Sequence, residues 1–317
     1  GGHGWCLPRG RRVSNSGSAH AWLSMLRISN APTVVSQVFA GAAVGWYALP
    51  FGTAIPLGPL VLVVVGVLLS YLAGMILNDV CDARVDAAER PERPIPSGRI
   101  SLLIARFVGG FMLLIGVSML AVASPATLPW AILLGACILA YDMLHTLSAG
   151  SFVLMALCRG LVPVIAALAI SSNADWSVLA WTAGAAFTFI AAVSIAARNE
   201  MTGFGLIARG AAWSLPIAAC APLGMWGALD IDPGGALLSS AAVGAALLAA
   251  YLVVVGIRTA SRRGSPRSVP MAVALWIGAI PAIDAATCFL LGSPTLGVLC
   301  LGLLVISRAL RPRFAGS

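Results

Sequence analysis

The chain carries eleven carboxylates in 317 residues, and five of them fall between Asp79 and Glu92. The segment reads Asn78-Asp79-Val80-Cys81-Asp82-Ala83-Arg84-Val85-Asp86. At about 100° per residue, Asn78, Asp79, Asp82 and Asp86 share one arc of about 100° on a helix, while Arg84 points elsewhere. Like charges stacked on one helix face repel, and the cost rises beside a low-dielectric region. A divalent cation removes that cost. An all-oxygen set with no His in the cluster suits Mg²⁺ or a similar hard ion rather than zinc. The next ten residues, Arg90-Pro91-Glu92-Arg93-Pro94-Ile95-Pro96-Ser97-Gly98-Arg99, stop the helix with prolines and stiffen the chain. They set Arg93 and a Ser97-Gly98 turn beside the acids. Guanidinium forks take phosphate oxygens in pairs, so metal-holding carboxylates beside arginines suit a diphosphate. A solvated acidic loop balanced by Arg84, Arg90, Arg93 and Arg99 is the bland alternative, but it gives no reason to confine acids to one face.

The elements that must position these residues are membrane helices. Sixty per cent of the residues are hydrophobic, 9% are charged, and the mean hydropathy is +0.97; soluble domains carry roughly a quarter charged residues. Apolar stretches recur at 31–49, 57–78, 102–122, 126–141, 152–171, 176–197, 210–229, 236–257, 270–291 and 294–309. About 20 such residues cross the hydrocarbon core, and helices satisfy their own backbone there. The expected fold is therefore all-α, a polytopic bundle of nine or ten transmembrane helices. Residues 1–25 are expected to be a disordered tail, 26–310 a single membrane domain and 311–317 a basic tail. All 19 basic residues are Arg, for a net charge of +8. They cluster before the first stretch and in alternate loops thereafter, while the loops near 50–56, 123–126, 172–175 and 230–235 hold none. This positive-inside pattern argues against a nucleic-acid partner. It predicts a multi-pass cell-membrane protein with its N-terminus and acidic segment on the cytoplasmic side; the basic C-terminus favours ten helices. The seven cysteines form no CxxC pair and read as free thiols.

NDxxDxxxD followed by RPxPSG resembles the first signature of the UbiA-type prenyltransferases, the family of 4-hydroxybenzoate polyprenyltransferase. The match is dense over residues 78–98, and the helix pattern extends it more loosely to 27–310. The resemblance implies a Mg²⁺-dependent intramembrane enzyme of quinone or lipid biosynthesis, which moves a prenyl chain from an isoprenyl diphosphate to a hydrophobic acceptor. Asn78, Asp79, Asp82 and Asp86 would hold metal, and Arg93 and Ser97 would bind the diphosphate. The family often places a polar amide in its first helix near the diphosphate; Gln37 fills that place or makes a plain interhelical hydrogen bond, two equal readings. Tyr141-Asp142-Met143-Leu144-His145, with Arg159 beyond, resembles its Tyr-x-x-x-basic segment. Many members carry Lys at or beside the His position; here Thr146 stands there, leaving His145 and Arg159 to supply the charge. Arg198-Asn199-Glu200 occupies the place of the second acidic signature, usually DxxxD, with Glu200 its one carboxylate.

The expected mechanism is ionisation of the allylic C–O bond. Mg²⁺ on Asn78, Asp79, Asp82, Asp86 and Glu200 would neutralise the leaving diphosphate, aided by Arg93, Arg159 and Arg198. Asp142 or Tyr141 would orient the acceptor or take its proton. Asp284 stands alone in the ninth stretch, where function and a plain interhelical contact are equal readings. Three rivals stay open. A CDP-alcohol phosphotransferase would need Gly after its second Asp. A secondary transporter usually puts its ion site at the midplane among repeats, and a non-catalytic family member would bear a thin second signature. The acceptor and the donor's chain length are not encoded in these motifs.

Overall fold

The apolar stretches fold as helices in a computed structural model that describes residues 21–145, 149–198, 206–261 and 268–314. In order they are α1 (Ala31–Tyr47), α2 (Leu57–Glu89), α3 (Leu102–Ala123), α4 (Leu128–Leu144), α5 (Phe152–Ile170) and α6 (Trp176–Arg198). There follow α7 (Leu206–Ala219), α8 (Ala221–Leu229), α9 (Ala236–Ala260), α10 (Ser268–Ile277), α11 (Ile280–Leu290) and α12 (Pro294–Phe314). No strand occurs among the described residues. Among the described residues, eight spans are long and apolar enough to cross a membrane, with α10–α11 counted as one, and the α7–α8 pair, bent by 50°, makes nine. The tenth stretch is α1, whose 17 residues reach about 26 Å. Near the far end of α12, the Ser307 hydroxyl donates to the Ser29 carbonyl just before α1, at 3.1 Å. The last helix therefore packs beside the segment that leads into the first.

The broken spans have local causes. Pro216 lies inside α7 and Pro222 in the first turn of α8, so backbone donors are missing on both sides of the bend. The indole of Trp181 donates to the Ala221 carbonyl at the break, at 2.7 Å. Gly278 and Ala279 separate α10 from α11, which has Pro281 in its first turn.

Helix α1 runs through the middle, packed on α5, α11, α12 and α2. Gly41 and Gly45, one turn apart, make this possible: a Cβ on either would run into the Pro163 or Ala167 carbonyl of α5. Small residues at such spacing let membrane helices approach closely. The α2–α3 pair uses the same device, because a Cβ on Gly116 would lie 2.6 Å from the Ser70 hydroxyl.

Three boundaries differ from expectation. Helix α2 outruns its apolar stretch and continues to Glu89, so the acidic face occupies its own last turns. The supposed tail is helical from Ala21 to Met25. Ala21 and Met25 are buried against Ile76, Val80, Ile100 and Ala105, because Trp22, Met25 and Leu26 give this segment an apolar side. Helix α12 also continues past residue 310, to Phe314.

Candidate active site

The C-terminal end of α2 presents the predicted face, with Asn78, Asp79 and Asp86 buried and Asp82 half-buried. Past the helix stop, Arg93 folds back over it. Its Nη1 lies 2.8 Å from Asp86 Oδ2 and 3.6 Å from Asp79 Oδ1. Arg93, expected at a phosphate, here neutralises two acids. Ser97 is exposed; its hydroxyl donates to the Pro94 carbonyl (3.3 Å) and accepts from Arg99 Nε (3.0 Å). It shapes the turn in which Gly98 takes φ 73°.

Asp82 faces the end of α4. His145 Nε2 lies 2.9 Å from Asp82 Oδ1 and 3.5 Å from Asn78 Nδ2, while its Nδ1 is 3.1 Å from the Asp142 carbonyl. A carbonyl only accepts, so Nδ1 carries a proton and Nε2 is left facing Asp82. The ring stacks on Tyr141 with centroids 5.4 Å apart. His145 thus ties α4 to the acids of α2.

Beside this network lies a cavity of about 270 Å³. Arg27, Asn30, Tyr71, Tyr141, Asp142 and Arg159 line its polar wall, and Val34, Val67, Leu134, Ile138, Val162 and Ile190 part of its apolar one. Asp142 is 4% exposed, and its Oδ2 is buried with no hydrogen-bond partner among the described residues. Arg159 enters from α5, with Nη1 donating to Gln37 Oε1 (2.7 Å) and Nη2 to Thr33 Oγ1 (2.9 Å). Gln37 therefore braces the guanidinium from behind and does not line this cavity. Ser194 and Ala197 bring the end of α6 to the cavity wall; the Arg198 side chain and Glu200 lie outside the described residues.

Sequence reasoning missed Arg27, Asn30 and Tyr71. Arg27 adopts φ 43°, a left-handed conformation uncommon for a side-chain-bearing residue, and its carbonyl accepts from the Tyr71 hydroxyl at 3.1 Å. Tyr71 stands two turns before Asn78 on the same face of α2, a spacing that could have identified it.

Among the described residues, no three His, Cys, Asp or Glu side chains converge as a ready cage. Mg²⁺ needs none, since it usually keeps one or two carboxylates and completes its shell with phosphate and water. The carboxylates of Asp79 and Asp82 with the amide oxygen of Asn78, gathered on one face at the end of α2, fit such an ion; among the described residues Asp82 Oδ1 is met only by the His145 imidazole, at 2.9 Å.

The fold and site define a polytopic membrane bundle with an acid-edged, arginine-lined cavity inside it. The model of the UbiA prenyltransferase family matches residues 38–267, and the chain belongs to that family. Digeranylgeranylglyceryl phosphate synthase from Sulfurisphaera tokodaii is 32% identical over 102 residues, which cover 32% of this chain and 34% of that protein. The match thus spans about a third of that relative's length. A UbiA homologue from Aeropyrum pernix superposes with a TM-score of 0.65 at 18% identity, covering 82% of this chain and 97% of that one. A UbiA homologue from Archaeoglobus fulgidus bound to GPP and Mg²⁺ gives 0.50 at 16% identity, covering 84% and 99%. These two likenesses establish the shared fold.

Proposed function

We propose that the chain transfers a prenyl group from an isoprenyl diphosphate to an electron-rich, hydrophobic acceptor within the bilayer, with Mg²⁺ as cofactor. The observation that carries this reading is the division of the cavity wall. A donor that is half dianion and half hydrocarbon fits a wall with Arg27, Arg159 and Asp142 at one side, joined through His145 to the acid cluster, and an apolar chamber at the other. The Archaeoglobus fulgidus homologue, bound to GPP and Mg²⁺, supports the same pairing of donor and ion.

Asn78, Asp79 and Asp82 would hold Mg²⁺, with Asp86 and Glu200 as further ligands. When bound, Mg²⁺ would supply positive charge to the leaving diphosphate, whose oxygen takes the electron pair of the broken allylic C–O bond. Arg159, fixed by Gln37 and Thr33, would turn its remaining N–H groups toward that developing charge, as would Arg27; Arg198 is proposed to add a further positive charge. The apolar wall surrounds the allylic carbons and keeps water away from them. The acceptor bonds to the freed carbon, and Asp142, oriented beside Tyr141, takes its proton. The digeranylgeranylglyceryl phosphate synthases among the relatives favour a lipid alcohol over an aromatic ring as acceptor. The arginine distribution supports a cytoplasmic N-terminus and a cytoplasmic acidic end.

The test incubates membranes holding the protein with radiolabelled prenyl diphosphate and Mg²⁺. Label should move into lipid with the parent chain, and Asp82→Ala should abolish that transfer while the protein stays folded. Full activity in Asp82→Ala would refute the site; uptake of label without transfer would refute the reaction.

A further inference from the structure

Asp284 has no part in the chemistry above. It lies on α11, every residue of which is buried, and is itself 7% exposed. Its Oδ2 accepts from the Ser36 hydroxyl of α1 at 2.6 Å. Ser36 belongs to a polar face on α1: Thr33, Ser36 and Gln37 stand at i, i+3 and i+4. Thr33 and Gln37 hold Arg159 on one flank, and Ser36 holds Asp284 on the other. Arg159 makes no ion pair within 4 Å among the described residues; three neighbouring α1 side chains, Thr33, Ser36 and Gln37, are all that link it to Asp284. Gln37 and Asp284 also line a second cavity of about 20 Å³, room for about one water. The other described carboxylates stand near helix ends or in loops, at the edge of the bundle.

We propose that Asp284 is a positioning residue for Arg159, the intramembrane counter-charge whose field, acting across the polar face of α1, tempers how strongly the guanidinium grips a diphosphate. A buried cation without an opposing charge is costly when its anion is absent. It would also hold the diphosphate product after transfer. A carboxylate at the other edge of this face of α1 relieves both problems without occupying the cavity. This inference rests on the reading of the main cavity as a diphosphate site.

The test is inorganic diphosphate binding, measured by calorimetry on purified protein in lipid nanodiscs, together with product inhibition of transfer. Asp284→Asn keeps the side-chain shape and an acceptor for Ser36 but removes the charge. It should tighten diphosphate binding about tenfold and lower kcat and the donor KM together as product release slows, and it should lower the thermal midpoint of the diphosphate-free protein. In an Arg159→Gln background the same substitution should change diphosphate affinity less than twofold. Ser36→Ala, which leaves both charges in place, should tighten binding far less than Asp284→Asn does. Unchanged diphosphate affinity in Asp284→Asn would overturn the inference alone, as would an equal shift in the Arg159→Gln background. Failure of the parent protein to bind diphosphate would overturn the inference together with the site reading beneath it.

Discussion

Replacing Asp142 by Asn separates chemistry from architecture better than any other change in the cavity. The carboxylate is almost fully buried, and its Oδ2 has no partner among the described residues. Asn has the same shape and exchanges one unpaired acceptor for one unpaired donor, so the effect on stability should stay within about 1 kcal/mol. The effect on turnover should be much larger. Loss of a positioned general base typically costs about 10²- to 10⁴-fold, or about 3–5 kcal/mol of transition-state stabilisation at about 1.4 kcal/mol per decade. The assay is single-turnover prenyl transfer in nanodiscs, run beside thermal unfolding and diphosphate binding on the same preparation. Asp142→Asn should melt like the parent, bind diphosphate like the parent and transfer at least a hundredfold more slowly. Transfer within threefold of the parent would remove Asp142 from the chemistry. A joint loss of rate and diphosphate binding would move it to the metal shell instead.

Two further outcomes follow from the contacts. Gln37→Leu removes one of two acceptors that hold Arg159; a charge-assisted bond of that kind contributes about 1.5–3 kcal/mol. KM for the donor should rise about tenfold or more with kcat less affected, and steady-state kinetics would expose an unchanged KM as evidence that the brace is idle. Gly41→Val would push a side chain into the Pro163 carbonyl of α5 and should cost about 1–3 kcal/mol. Thermal unfolding in detergent should show a lower midpoint, and an equal midpoint would mean that α1 and α5 are free to part.

The helices were legible because each buries its own backbone, so apolar length alone announces them. The acidic face was legible for a similar reason: Asn78, Asp79, Asp82 and Asp86 lie within a few turns of one helix, where spacing fixes direction. What sequence could not supply was partners across the fold. Arg159 is 122 residues from Gln37, and Ser36 is 248 from Asp284; nothing local selects those pairs. Arg93 illustrates the reverse case, close enough in sequence to be placed beside the acids and yet assigned to a phosphate. The bend at Cys220 escaped because Pro216 and Pro222 sit within a stretch that is apolar throughout, and hydropathy does not register a missing N–H.

The acids stand at a helix end, and the proposed chemistry gives a reason. Buried charges are costly wherever they are left without a partner. In the structure described here, Arg93 pairs Asp79 and Asp86, His145 meets Asp82, and Thr33 with Gln37 satisfies Arg159. Arrival of a metal diphosphate would replace these partners by better ones: carboxylates would turn to the ion and guanidinium groups to the phosphate oxygens. Such an exchange needs both water-borne ions and lipid-borne chains to reach one place. The end of a spanning helix meets that need, since it touches the aqueous boundary while the cavity below it reaches into the hydrocarbon. A midplane site would strand the ion, and a surface site would let water reach the allylic carbon. The position of the acids thus follows from a substrate that belongs to two solvents at once.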